Sequence, residues 1–434
     1  MTEFAQYWFV PLNPWTWLEL IHGVGLMLGS AQLYFWGLVF LPFARFHFPA
    51  LLALAIRFFT PRNARSKNAS TVCARMPLVS VLIAGRNERD TIHTTITSTL
   101  ACGYEHLEII VVDDCSDDDT LARARWFERT GRVRVFGSND RNGKPSSLNI
   151  AIGMARGEYC FILDADSEVQ YGAVHAMLAC FDDQRVGAVT ANVRVRNADN
   201  SIVTRLQELE YALNVTLARY LRSHANMLGI VAGAAGMFRT QALRDLRGFD
   251  TGLGDDTDMT IKLRKQGWGL VFSSEAVVWT NVPERWRALY RQRTRWERNM
   301  VKIRLRKHGD LLLPTRYGWT NALVALDIYV FRVALPLAYV LAFLRYFGTG
   351  AFYAPALITQ TYWLAAFFLG LKLLISHEIF ALPRYANFWL IPVMPMYRLS
   401  LRLVLLVAVL REGARIGLKH GYVPDKIWFQ IRHW

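Results

Sequence analysis

Two carboxylates one residue apart, Asp164-Ala165-Asp166, follow the apolar run Tyr159 to Leu163. Alternate residues at a strand end share one side of a sheet. Both acids can therefore meet one hard divalent cation, whose other ligands would include phosphate oxygens. Such an ion offsets charge on a departing diphosphate. A second acidic pair, Asp113-Asp114, follows another buried-strand pattern and stands in a turn with Ser116 and Thr120. Acceptors in that turn can take ribose hydroxyls or a base edge, and Asp117 to Thr120 can equally cap a helix. Lys144, after Asn142-Gly143, is either a phosphate contact or a solvated loop cation. A third acidic cluster, Gly254-Asp255-Asp256, precedes a helical run from Thr257 to Gln266. An attacking hydroxyl needs a base to take its proton, and crowding by Asp255 and Asp258 would lift the pKa of Asp256. Acidic capping of the helix accounts for the same residues. Lastly, Gln292-Arg293-Thr294-Arg295-Trp296 sits in a basic, amphipathic stretch beside an apolar segment, where it could clamp a sugar polymer at a membrane.

These residues need elements to hold them. The runs Leu78 to Ile83, Leu107 to Val112, Val133 to Phe136 and Tyr159 to Leu163 read as buried strands, and Ser146 to Ala155 reads as a helix. Strands alternating with helices imply an α/β domain with a mostly parallel sheet. Ligands of such sheets bind at the carboxyl ends of the strands, which is where both acidic pairs fall. From Pro283 to His308 an apolar stripe of Trp286, Leu289, Trp296, Met300 and Ile303 is flanked by Arg and Lys on the other faces. That is the pattern of a helix lying in a membrane surface, or of a basic helix packed on its own domain.

The chain has 434 residues, 53% hydrophobic and 20% charged, with a formal net charge of +15. The apolar residues are concentrated in segments. Ile21 to Phe43 lacks Asp, Glu, Lys and Arg, and about 20 such residues span a bilayer. The preceding flank has no Lys or Arg, which favours an anchor over a signal peptide. Arg57, Arg62, Arg65, Lys67 and Arg75 follow it, so the positive-inside rule puts the next domain in the cytosol. Phe46 to Phe59 is too short for a full crossing and fits the interface. Three further apolar stretches, 319–347, 353–376 and 387–410, contain or adjoin Asp327, Arg332, Lys372, Arg398 and Arg402. Such groups either line a polar path or snorkel and pair locally. Three crossings would leave the tail outside, yet it carries Arg411, Arg415, Lys419, Lys426 and Arg432. Either one stretch does not cross or the tail departs from the rule. The five cysteines form no CxxC pair, and a cytosolic domain keeps them reduced. No zinc spacing or RNA-recognition signature accompanies the basic charge, so no nucleic-acid partner is expected and membrane lipids are.

The ordered set Val79 to Glu88, Val111 to Asp117, Asn142-Gly143-Lys144, Asp164-Ala165-Asp166 and Gln292 to Trp296 resembles the inverting family-2 glycosyltransferases. Within them it is most similar to the membrane-embedded processive synthases of hyaluronan, chitin, poly-N-acetylglucosamine and cellulose. The resemblance covers residues 77 to 310 and implies a GT-A fold. It implies that Asn87, Glu88, Asp113 and Asp114 contact the nucleoside of a UDP-sugar, that Lys144 lies near the diphosphate, and that Asp164 and Asp166 hold Mg2+ or Mn2+. Asp256 would be the base. Gln292 and Arg295 would reach the diphosphate, Arg295 through its planar fork, and Trp296 would stack on the acceptor sugar. Gly233 and Asp255 would border the acceptor pocket. Two departures stand out: Ala84-Gly85-Arg86 replaces the usual Pro-containing start of the first loop, and Asp255 stands where many relatives carry Glu.

The expected layout is an anchor over 1–60 with its span at 21–43, a linker over 61–76, a cytosolic GT-A domain over 77–282, interfacial helices over 283–318, a transmembrane region over 319–410 and a basic tail over 411–434. The expected activity is processive, inverting polymerisation of a UDP-α-sugar, with extrusion of the growing glycan across an inner membrane. An accessory membrane subunit is a further candidate partner. A non-processive transferase acting on a lipid-linked acceptor would share the donor site. A catalytically idle glycan channel or scaffold would not need the acidic set.

Overall fold

A computed structural model describes Arg45 and residues 48–51, 70–250, 254–348, 354–380 and 385–413. The expected span at 21–43, most of the 61–76 linker and the tail from 414 lie outside the described residues.

The four expected strands are present and slightly longer than their apolar runs: β1 (Val79–Gly85), β2 (Leu107–Asp113), β3 (Val133–Gly137) and β4 (Tyr159–Asp164). They pair in parallel, β3-β2-β1-β4. Their near-continuous burial explains why they read as unbroken apolar runs. The register sets Gly85 beside Asp113 and Ala84 beside Asp164. The loops after β1, β2 and β4 therefore leave the sheet at the same carboxyl end, with the two acidic pairs on either side of β1.

Four more strands complete an eight-stranded mixed sheet: β5 (Ser167–Val169), β6 (Val186–Val195), β7 (Ala235–Arg239) and β8 (Gly269–Thr280). β7 runs antiparallel to both β4 and β6, while β6 and β8 are parallel with a register shift at Ala191/Asn192. One large apolar cluster centred on Val81, Ile109, Phe161 and Met237 fills one face of the sheet. Another, with Leu82, Ile110, Ile162 and Leu263, fills the other.

Six helices matter for the site: α1 (Lys144–Met154), α2 (Ile202–Tyr211), α3 (Ala218–His224), α4 (Asp255–Lys265), α5 (Trp286–Met300) and α6 (Met394–Gly413). Both site helices begin earlier than the sequence suggests. Pro145 lies in the first turn of α1, where its missing N–H costs nothing, so Lys144 is the first helical residue and not a loop lysine. α4 begins at Asp255 behind Gly254, which has φ of 87°. That conformation favours glycine. A β-carbon there would also lie 2.9 Å from Ile303 and 3.2 Å from Asn299.

Among the described residues three helices are long and apolar enough to cross a membrane: Trp319–Ala338, Tyr362–Phe380 and Asn387–Arg411. α5 lies between them and the sheet domain, and its stripe is not laid uniformly on a membrane surface. Leu289 is buried with Leu369, Leu373, Met394 and Tyr397. Met300 packs with Val324, Ile328 and Leu405, and Ile303 with Ile261 and Ala325. Only Trp286 and Trp296 of the stripe are exposed, at 40% and 38%. The stripe keeps its helical period, but most of it packs against the spans.

Candidate active site

The loops after β1 and β2 are tied together before any ligand is considered. The Asn87 amide donates to Ser116 Oγ at 2.9 Å, and Asn87 Oδ1 accepts from the Asp117 amide at 2.9 Å. The Glu88 amide donates to Thr120 Oγ1 at 2.7 Å, and its carboxylate accepts from Thr91 Oγ1 at 2.8 Å. Asp113 accepts from the Ser116 amide at 3.0 Å. Asp114 accepts from the amides of Asn142 at 2.8 Å and Gly143 at 3.0 Å. Both aspartates are buried. Much of their hydrogen-bonding capacity holds loops in place, and Asp114 in particular fixes the approach to Lys144.

Lys144 Nζ donates to Asp164 Oδ1 and, at 3.3 Å, to the Gly233 carbonyl. Burial opposes its charge, but Asp164, Asp255 and Asp256 outweigh burial and raise its pKa above that of an ordinary lysine. One ammonium therefore joins Asp164, at the end of β4, to Gly233, which lies beside the candidate base Asp256. Asp166, in the turn between β4 and β5, has weak contacts at 3.5 Å with Ser167 Oγ and Thr280 Oγ1. Burial, then repulsion from Asp164 and Glu88, lifts its pKa to about 7. Two crowded carboxylates at a strand end fit a hard cation that completes its shell with phosphate oxygens and water. Among the described residues no group of three or more His, Cys, Asp or Glu could hold a metal. The donor set thus suits an ion that arrives with a phosphate ligand.

Asp256 lies in the first turn of α4. Its Oδ1 accepts from the Thr257 amide at 2.6 Å. A β-carbon on Gly233 would stand 3.3 Å from Asp256 Cβ and 3.7 Å from its Oδ2, so any larger residue there would crowd the carboxylate. Burial, then Asp255, lifts the Asp256 pKa to about 6, although a first-turn acid should gain from the helix dipole. A carboxyl poised there can be ionised near neutrality and still accept a proton.

Gln292, Arg295, Trp296 and Asn299 recur at helical spacing and form one side of α5. Asn299 is the residue that approaches Gly254, so this side is turned toward the base loop. Gln292 Oε1 is buried and has no hydrogen-bond partner among the described residues. Such a group costs about 1–3 kcal/mol, which is consistent with a role toward a ligand. The intervening Arg293 has a different task. It is buried, pairs with Glu210 of α2 at 2.9 Å, and stacks 4.4 Å from the Trp296 ring centroid. Glu210 also accepts from Tyr397 Oη at 2.6 Å. One buried carboxylate thus ties the sheet domain, α5 and the last span together.

Sequence reasoning missed the cations around Asp256. Arg219 and Arg222 lie one turn apart on α3, and Arg304 follows α5 and donates to the Gly229 carbonyl. Burial lowers the pKa of Arg219 and of Arg304 to about 10, and both feel Asp256 and Arg222. Arg222 pairs with Asp327 at 3.6 Å, and Arg332 pairs with Glu297 at 3.0 Å. A charged series therefore runs from the candidate base to the first span. Only Asp327 and Arg332 could be suspected from sequence, as ionisable groups within an apolar stretch. The five cysteines are all free.

Residues 77–299, more than half of the chain, match the family described as glycosyltransferase like family 2. The chain belongs to that family. It is 29% identical over 272 residues to a poly-beta-1,6-N-acetyl-D-glucosamine synthase of Staphylococcus aureus, covering 62% of this chain and 64% of the relative. It is 31% identical over 230 residues to the synthase of that name from Staphylococcus epidermidis, covering 52% and 56%. The chain thus spans just under two thirds of the first and less of the second. Among solved structures, a mannosyltransferase from Pyrobaculum calidifontis, in complex with GDP-Man and Mn2+, superposes with a TM-score of 0.61 at 21% identity. The match covers 86% of this chain and 97% of that one. At that identity the likeness concerns the fold, and it extends beyond the sheet domain.

Proposed function

We propose that this transferase polymerises a sugar from a UDP-α-sugar, with inversion at C1, and passes the product into a path formed with its C-terminal spans. The observation that carries this reading is the meeting of three elements. Lys144 bonds Asp164 and the carbonyl of Gly233, which lies beside Asp256, while Asn299 of α5 approaches Gly254 at the start of the Asp256 helix.

In this reading Asp164 and Asp166 would hold Mg2+ or Mn2+ against the donor diphosphate, where the ion offsets leaving-group charge. Lys144, at the N-terminus of α1, meets the diphosphate with both its ammonium and the helix dipole. Asn87, Glu88, Asp113 and Asp114 shape the nucleoside side, with the two aspartates acting largely through the loops they hold. Gln292 and Arg295 face the diphosphate, and Trp296 stacks on the acceptor sugar beside Gly233 and Asp255. Asp256 takes the proton of the acceptor hydroxyl as its oxygen forms the new bond to C1. The C1–O bond to the β-phosphate breaks, the electron pair leaves with UDP, and an α-linked donor gives a β-linked product.

Continuity of charged groups from Asp256 through Arg219, Arg304 and Arg222 to Asp327 supports a polar route for the growing glycan. The sheet domain belongs on the cytosolic side of an inner membrane, where nucleotide sugars and anionic lipids meet its basic residues.

The test is a panel of UDP-sugars given to the purified full chain with Mg2+ or Mn2+, reading UDP release and product length. Long polymer from one donor supports the proposal. A single sugar extracted with lipid would replace it with transfer to a lipid-linked acceptor. No UDP release from any donor would leave a channel or scaffold.

A further inference from the structure

Two residues after Asp256, on the same helix, Asp258 forms the centre of a charged cluster that the reaction described above does not use. Its side chain is only 4% exposed. It meets Lys307 Nζ at 2.7 Å, His308 Nε2 at 2.8 Å and Lys262 Nζ at 3.1 Å. Lys262 also reaches Asp250 at 2.5 Å, and Lys307 pairs with the same carboxylate. Burial opposes ionisation of Asp258, but hydrogen bonds from His308 and Lys307 outweigh it and hold its pKa well below the usual carboxylate range.

The cluster bridges two elements of different origin. Asp258 and Lys262 belong to α4, which starts with the base. Lys307 and His308 end the π-helical segment Val301–Lys307 that continues α5. Asp250 and Gly254 are the described residues that precede α4. Asp250 is held by Lys262 and Lys307, and Gly254 rests on Asn299 and Ile303. Asp250 and the start of α4 are thus each held by the helix that carries Gln292, Arg295 and Trp296, or by its continuation.

The imidazole's protonation pattern follows from its neighbours. Lys265 Nζ lies 3.0 Å from His308 Nδ1 and also donates to Asp310 at 2.6 Å. An ammonium can only donate, so Nδ1 is the acceptor and Nε2 carries the hydrogen given to Asp258. One side chain thereby joins Lys265, near the end of α4, to Asp258 near its start, from the far side of the α5 segment.

We propose that Asp258 and His308 are positioning residues for the transfer step, holding Asp256 at the distance from the acceptor hydroxyl that the α5 face defines. This rests on Asp256 being the base. Neither residue touches substrate, so the cluster should act on the rate of transfer and not on donor binding. A displacement of about 1 Å at a reacting group can cost about a hundredfold in rate.

The experiment compares wild type, His308→Ala, His308→Gln and Asp258→Asn as full-length protein. The readouts are kcat, donor KM and hydrogen–deuterium exchange of the amides of residues 255–258. A glutamine can place an N–H where Nε2–H stood, whereas alanine cannot. The expected result for His308→Ala is a fall in kcat of about ten- to a hundredfold, an unchanged donor KM, and faster exchange in 255–258 with β1 and β4 unaffected. His308→Gln should recover most of the rate and the protection. Equal behaviour of alanine and glutamine, or a rise in donor KM matching the fall in kcat, would overturn the proposal. So would unchanged exchange in 255–258, and that readout stands whether or not the protein turns over UDP-sugars. Absence of turnover in wild type would contradict the functional reading instead.

Discussion

Asp256 and Asp258 sit two residues apart on one helix and have opposite environments. Asp256 is crowded by Asp255 and desolvated, with its pKa raised to about 6. Asp258 is buried and surrounded by two lysines and an imidazole N–H, with its pKa held low. The same residue type therefore does two jobs, set by what the neighbouring element supplies. The segment after α5 gives Asp258 its counter-charges, while Asp256 faces a glycine and shares its cations with other groups. An acid kept uncomfortable suits proton transfer. An acid held ionised by counter-charges from two elements suits a structural anchor.

The largest difference is expected from near-isosteric substitutions that remove the charge. Asp256→Asn should lower turnover by about a thousandfold or more, in line with losing a general base. It should not lower the melting temperature. The sign follows from the raised pKa: the folded state disfavours the ionised form, a cost that begins above the unfolded-state value of about 3.9 and is complete above about 6. The asparagine variant should therefore match wild type near pH 4 and be at least as stable above pH 6, measured by thermal melts across that range.

Asp258→Asn should do the reverse. Its lowered pKa means that the ionised group stabilises the fold above about pH 4, and that stability is lost as pH falls. Removing one partner from a buried ionic cluster costs about 3 kcal/mol. A denaturant melt at pH 7 should show that loss, and the loss should shrink toward acid. Equal melts for the two variants would dissolve the contrast.

A smaller effect concerns pH and metal. With the donor saturating, kcat should rise with pH through about 6 as Asp256 ionises. Affinity for Mg2+ or Mn2+ should weaken as pH falls below about 7, because protons compete for Asp166. Separate titrations of rate and metal binding should give two midpoints in that order. The smallest change is expected from Trp296→Phe, which keeps a ring beside Arg293. Product length should shorten a few-fold while UDP release per site changes by less than about twofold, since one aromatic contact is worth about 0.5–1.5 kcal/mol.

The parallel half of the sheet was legible because strands buried on both faces read as unbroken apolar runs, and the acidic pairs mark their ends. The other half was not. β6 carries Thr190, Asn192 and Arg194, and β8 carries Ser273, Ser274 and Glu275. Asn192 is fully buried and satisfied by Thr216 Oγ1 at 2.7 Å and the Ser274 carbonyl at 3.1 Å, so a core position looks polar in sequence. In the site, the helical spacing of Gln292, Arg295 and Trp296 gave away their common side. Nothing local marked Arg293 as structural, because its partner Glu210 is 83 residues away. His308 and Asp258 are likewise 50 residues apart. Contacts of that range arise only when α5 is folded back onto the domain, and no periodicity encodes them.

The central claim is that Asp256 acts on the acceptor proton and not on the nucleotide. It is tested most directly by titrating UDP onto purified Asp256→Asn while measuring its transfer rate beside wild type. The account predicts that transfer is abolished and UDP affinity stays within about twofold, as for a group acting only in the transition state. Loss of both in equal measure would place Asp256 in donor binding and contradict its assignment as the base.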